Sequence, residues 1–168
     1  MAHPKHAEVR ARFQGRCGYC QVSEADAGGE LTIDHYLPVI AGGTDADENL
    51  VYCCFRCNLF KGDFHPSEAD RLAGRIVLHP LIDRTSRHVQ LDEKTGQLEP
   101  LTARGRFHIV LLHLNRPALV AYRLQQRYGK LIAARVELIE AENRELRAII
   151  QAQEKYIKRL ASLVDDPQ

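Results

Sequence analysis

Residues 17–20 read Cys-Gly-Tyr-Cys and residues 54–57 read Cys-Phe-Arg-Cys. Each is a C-x-x-C unit, and each places two thiolates close enough to share one ion. Four thiolates complete a tetrahedral zinc shell, and a closed shell with no open position is structural rather than catalytic. The gap of 33 residues between the pairs exceeds the common ribbon spacing of roughly 15–20. A substantial insert therefore lies between the knuckles, with its ends pinned by metal. Cys53, on a strand with apolar neighbours, is expected in the core and not as a fifth ligand.

Working outward, residues 5–16 predict a short helix stopped at Gly15. Residues 31–36 (LTIDHY) are β-branched and apolar and predict a strand. Residues 37–48, with Pro38, Gly42, Gly43 and several Asp, predict a loop. A second strand is expected over 49–52 and a helix from Cys54 to Asp63. Residues 67–78 predict a short amphipathic helix. Residues 87–91 and 97–101 flank Lys94-Thr95-Gly96 as a hairpin. Helix is expected over 102–114 and again from Pro117, a residue suited to a first helical position, nearly to Val164 with a possible kink at Gly129. The fold class is α+β: a zinc-stabilised two-strand-plus-helix unit, a β-hairpin and helices, then a long C-terminal coiled-coil helix.

The insert carries Asp34-His35 on the first strand, Asn49 after the Gly-rich loop, and Asn58-x-x-Lys61-Gly62-Asp63 after the last cysteine. The string CGYC…IDHYLPVIAGGTDADENLVYCCFRCNLFKGD closely resembles the HNH endonuclease (His-Me finger) motif over residues 17–63. Residues 79–123, with HPLIDR and LLHLNRPALV, resemble more weakly the tail of one group of small bacterial HNH proteins. The resemblance implies a nuclease with one catalytic divalent metal. His35 would be the general base toward an attacking water, a task suited to an imidazole near neutral pH. Asp34 and Asn58 would ligate Mg²⁺ or Mn²⁺, hard ions that take oxygen donors. Asn49 would pin the loop or orient the His35 ring. Apart from the resemblance, His65, seven residues after Asn58, is a candidate extra ligand, and Lys61 a candidate to contact phosphate or simply to cap its helix. Asn58 stands where the family often has His.

Composition bounds the rest. The 168 residues are 45% hydrophobic, with no Trp, enough for one domain with an extension. The polar start carries no secretory signal and no stretch is apolar enough to span a membrane, so a cytoplasmic protein with reduced thiols is expected. Net charge is +1, but the distribution is uneven. Gln21–Leu50 holds seven acids and no Lys or Arg, while Pro100–Val136 holds seven bases and no acid. Arg104, Arg106, Arg116, Arg123 and Arg127 are expected to track a nucleic-acid backbone with Lys61, joined by Arg10, Arg12 and Arg16, because Lys and Arg contacts to phosphate supply most of such affinity. DNA is the expected partner.

Residues 132–164 repeat in a 4-3 pattern. With Val136 at position a, Asn143, Ile150, Ile157 and Val164 share it, and Ile139, Leu146, Gln153 and Leu160 fall at d. This pattern predicts a parallel homodimer, with Arg135 facing Glu140 and Glu142 facing Arg147 of the partner. Leu138, Ile149 and Leu163 widen the apolar face, which suits packing on the chain's own domain or a higher-order bundle instead. The expected division is a nuclease domain over 1–128 and a dimerisation helix over 129–168. Two other functions stay open: a zinc-finger module that binds nucleic acid without cutting, and an effector subunit active only with a larger protein partner.

Overall fold

Thr32 and Ile33 are β-branched and favour extended backbone, and they open strand β1 (Thr32–His35). It pairs antiparallel with β2 (Leu50–Cys53), in the register Thr32↔Cys53, Ile33↔Tyr52, Asp34↔Val51 and His35↔Leu50. In the computed structural model, residues 3–164 are described, with side chains as far as 162. The seam position Val164 and the face-widening Leu163 therefore lack described side chains, and residues 165–168 of the expected dimerisation segment lie outside the described residues.

All four residues of β2 are buried, so this strand is covered on both faces. Helix α1 (His6–Arg12) contributes Val9 to that core. Helix α2 (Glu24–Ala27) is a single turn in a stretch to which the sequence assigns no element. Four residues are too few to show a 3.6-residue period, and only its ends are marked. Ser23 accepts the Asp26 amide, and Gly28 closes the turn at φ +84°, a region open to glycine. Its purpose is tertiary: Glu24 takes two 2.6 Å bonds from Arg10 of α1 and one from the Tyr52 hydroxyl of β2.

Helix α3 (Phe55–Lys61) follows β2 directly, with Cys54 at its N-cap. Helix α4 (Glu68–Leu72) begins with a Ser67–Asp70 capping box. It stops far short of the expected residue 78, because Gly74 turns left-handed at φ +69° and the chain beyond delivers Val77 and Leu78 to the core. Strands β3 (Val89–Leu91) and β4 (Leu98–Pro100) form the expected hairpin. Helix α5 (Ala103–Leu111) is capped by Thr102 and lies so close to the hairpin that a Cβ on Gly105 would fall 1.9 Å from the His88 carbonyl oxygen.

Helix α6 (Pro117–Val164) is one element of 48 residues that continues through Gly129. By internal contacts the chain divides into Met1–Leu124 and Gln125–Gln168. In the second unit the seam residues Val136, Ile139, Leu146, Ile150, Ile157 and Leu160 are all at least 41% exposed. Among the described residues no helix is long and apolar enough to cross a membrane.

Candidate functional site

Cys17 and Cys20 lie on the turn after α1, and Cys54 and Cys57 open α3. The knuckle needs glycine at its second position: a Cβ on Gly18 would meet the Phe13 ring at 2.7 Å and Val51 at 2.9 Å. All four cysteines are unbridged and buried, and their sulfurs lie within 4.8 Å of one another. Cys20 Sγ and Cys54 Sγ are 3.7 Å apart. Zinc–sulfur bonds of about 2.3 Å at tetrahedral angles put sulfurs about 3.8 Å apart. The set therefore fits a structural zinc ion. Within the cluster the thiols shift in opposite directions: contact with Cys17, Cys20 and Cys57 lowers Cys54, and contact with Cys17, Cys20 and Cys54 raises Cys57. Arg116 approaches Cys54 Sγ at 3.9 Å and faces the Phe60 ring at 5.8 Å, bringing positive charge to an anionic cluster. Cys53 stands outside the group, fully buried, with burial pushing its thiol up.

Strand alternation separates the next two residues. Asp34 points inward and is 6% exposed. Its Oδ2 accepts the Tyr19 hydroxyl at 2.6 Å, and its Oδ1 accepts Lys61 Nζ at 3.0 Å. Burial raises its pKa, with Lys61 and Tyr19 opposing. Lys61 is itself 2% exposed and donates also to the His35 and Gly62 carbonyls at 2.8 and 3.4 Å. A buried ammonium thus occupies an oxygen-lined place beside the expected metal ligand. Asn58 is half-buried on α3 and its amide makes no hydrogen bond among the described residues. One carboxylate and one free amide oxygen have the right chemistry for a hard divalent ion, in competition with the Lys61 ammonium.

His35 points the other way and is 22% exposed. Its Nε2 lies 2.7 Å from Asp45 Oδ1, and His3 Nε2 lies 3.4 Å from the same oxygen. The two imidazoles, in this order the nearer and then the farther, lower the Asp45 pKa. The Asn49 side chain makes no hydrogen bond to the His35 ring among the described residues. Its Oδ1 accepts the Leu37 amide at 2.7 Å, and its Nδ2 donates to the carbonyls of Leu37 and Thr44 at 3.1 and 2.8 Å. Asn49 therefore pins the loop, and Asp45 meets the His35 ring. Sequence reading passed over Asp45 and His3. The first lay within an acid run that looks like a solvated loop, and nothing in spacing links the second to residue 35. His65 is exposed and belongs to no ligand cluster among the described residues.

The expected phosphate-binding cations are distributed unevenly. Arg104 pairs with Asp83 at 2.7 Å. Arg116 also donates to the Leu112 and His113 carbonyls, and Arg123 to those of Gly96 and Leu114. Arg10 is bound to Glu24, and Arg12 to Asp47. Arg106 is exposed, whereas Arg127 is partly buried and engaged by another group. Most of the basic stripe thus braces the fold.

Residues 17–64 match the family model described as HNH endonuclease. Comparison with curated proteins and with solved structures finds no match.

Proposed function

With its residues 17–64 an HNH endonuclease domain, we propose that this chain hydrolyses phosphodiester bonds of DNA with His35 as general base. The observation that supports it most is the placement of His35. Its imidazole reaches solvent at the end of a strand whose partner leads straight into the four-cysteine site. A positioned imidazole contributes typically about 10²–10⁴-fold to such a step. Mg²⁺ or Mn²⁺, held by Asp34 and Asn58, would polarise the phosphate and stabilise the leaving alkoxide. Asn49 keeps the loop facing His35 closed, and exposed cations such as Arg106 meet the DNA backbone. The test is direct: purified protein with Mg²⁺ or Mn²⁺ is expected to nick or cut DNA. His35→Ala should lose at least about 10²-fold of that rate while zinc content stays the same. Equal cutting by the variant refutes the assignment, and a chain that binds DNA but never cuts it supports a binding module instead.

We further propose that residues 132–164 pair two copies in parallel. The support is a heptad seam with exposed Val136, Ile139, Leu146, Ile150, Ile157 and Leu160, a length of apolar face that single helices rarely leave in water. Two centres would then cut the two strands of a duplex. Solution mass of the full chain is expected at twice 19.0 kDa, and that of a chain ending near Tyr128 at its monomer value. A dimer that survives truncation removes the helix from this role. A full-length monomer, inert until a larger protein is added, favours the effector reading.

A further inference from the structure

Three side chains from distant parts of the sequence converge at the end of β1. Asp45 is acceptor-only as a carboxylate, so each imidazole nitrogen bonded to it carries a proton. His3 agrees independently: its Nδ1 receives the Lys5 backbone amide at 3.2 Å, which leaves the proton on Nε2. The same three residues are close enough to hold a cation, but the Lys5 amide keeps His3 Nε2 protonated, the form that cannot ligate. The loop carrying Asp45 is tied down as well. Lys5 Nζ donates to the Asp45 carbonyl at 2.9 Å and to Asp47 at 2.6 Å.

We propose that Asp45 and His3 are positioning residues for His35. Asp45 holds the imidazole as the Nε2–H tautomer, which leaves Nδ1 as the proton-accepting atom, and His3 steadies Asp45 from the opposite side. The inference rests on the hydrolytic reading above. In the step itself a water O–H bond breaks and its proton goes to Nδ1. The water oxygen bonds to phosphorus, the scissile P–O bond breaks, and its electron pair leaves on the alkoxide, which takes a proton from solvent. The imidazolium formed in this way lies against the Asp45 carboxylate. The Nδ1 of His35 makes no hydrogen bond among the described residues, as a base awaiting a water requires. The N-terminal segment thereby becomes part of the site, although it lies outside the stretch that matches the family.

The decisive measurement is the pair of imidazole ¹⁵N shifts of His35 in the full-length, zinc-loaded protein, beside cleavage rates. Nε2–H is expected in the unmodified chain. In Asp45→Asn the amide can turn its NH₂ toward the ring, so the Nδ1–H form should appear and the rate should fall by about 10²-fold. Asp45→Glu should recover the tautomer and part of the rate. Because Asp45 is exposed, all variants should keep zinc and the same melting temperature. A resting Nδ1–H tautomer overturns the proposal, and so does an Asp45→Asn variant that cuts at the full rate. If the tautomer depends on Asp45 as described but no DNA is cut, the hydrolytic reading falls and the positioning contact stands.

Discussion

Stripping zinc from the four-cysteine site is expected to abolish the fold of the segment between Cys17 and Phe64, and Cys57→Ser should do the same. Structural zinc binding in small domains is worth about 10–16 kcal/mol near neutral pH, and that binding free energy is folding free energy. The reason is specific here. The site joins the turn after α1 to the first turn of α3, and between them lies β2, whose four buried residues form the middle of the core. Without the ion, the sulfurs of four cysteines no more than 7% exposed would face one another with only the Arg116 guanidinium to offset their thiolates. The check is circular dichroism on heating, before and after chelation, with zinc measured on the same samples. Cys53→Ala is the control: its sulfur lies outside the cluster, so zinc content should not change. Unaltered melting with zinc gone would show that apolar packing alone holds the unit.

Lys61→Met should be the most damaging single change away from the cysteines. Its side chain is 1% exposed and that of Asp34 7%. Removing one partner of a buried ion pair leaves an uncompensated charge, at a cost of about 3–5 kcal/mol. The sign of the pH dependence follows. Burial already raises the Asp34 pKa, and without Lys61 only the Tyr19 hydroxyl and the nearby His35 oppose that shift. A carboxylate with a raised folded pKa binds more protons folded than unfolded, so its contribution to stability declines as pH rises. The deficit should therefore be greatest near neutral pH and shrink as pH falls toward the unfolded value of 3.8. Denaturant melts across that range provide the measurement. A deficit that is constant with pH, or under about 1 kcal/mol, would contradict the buried-pair account. Mg²⁺ or Mn²⁺ that restores the variant but not the unmodified chain would identify the vacated ammonium position as a cation site on Asp34.

Much of the site was readable because its signals are local. Two residues between paired cysteines make a knuckle wherever the chain runs. Leu-Thr-Ile before Asp34 and Leu-Val-Tyr before Cys53 are strand sequences in almost any setting, and Ser67 with Asp70 marks a helix start. Local signals also misled. The apolar residues near 76–78 extend a plausible amphipathic helix on paper, but Gly74 and the pull of the core on Val77 and Leu78 end it at Leu72. The basic stripe looked like a phosphate track, and several of its arginines turned inward to carbonyls and Asp83.

From the sequence alone came the four-cysteine metal site, the HNH order of Asp34, His35, Asn49 and Asn58, and the long heptad helix. Each depends on spacing along one short stretch, where backbone geometry leaves little choice. Tertiary structure decided that Lys61 would neutralise Asp34 across 27 positions, and that Asp45 and His3 would meet at His35. Those contacts exist only after the loop closes and α1 docks on β2. Their geometry is set by burial and by charges brought together from separate elements, which no single stretch of sequence records.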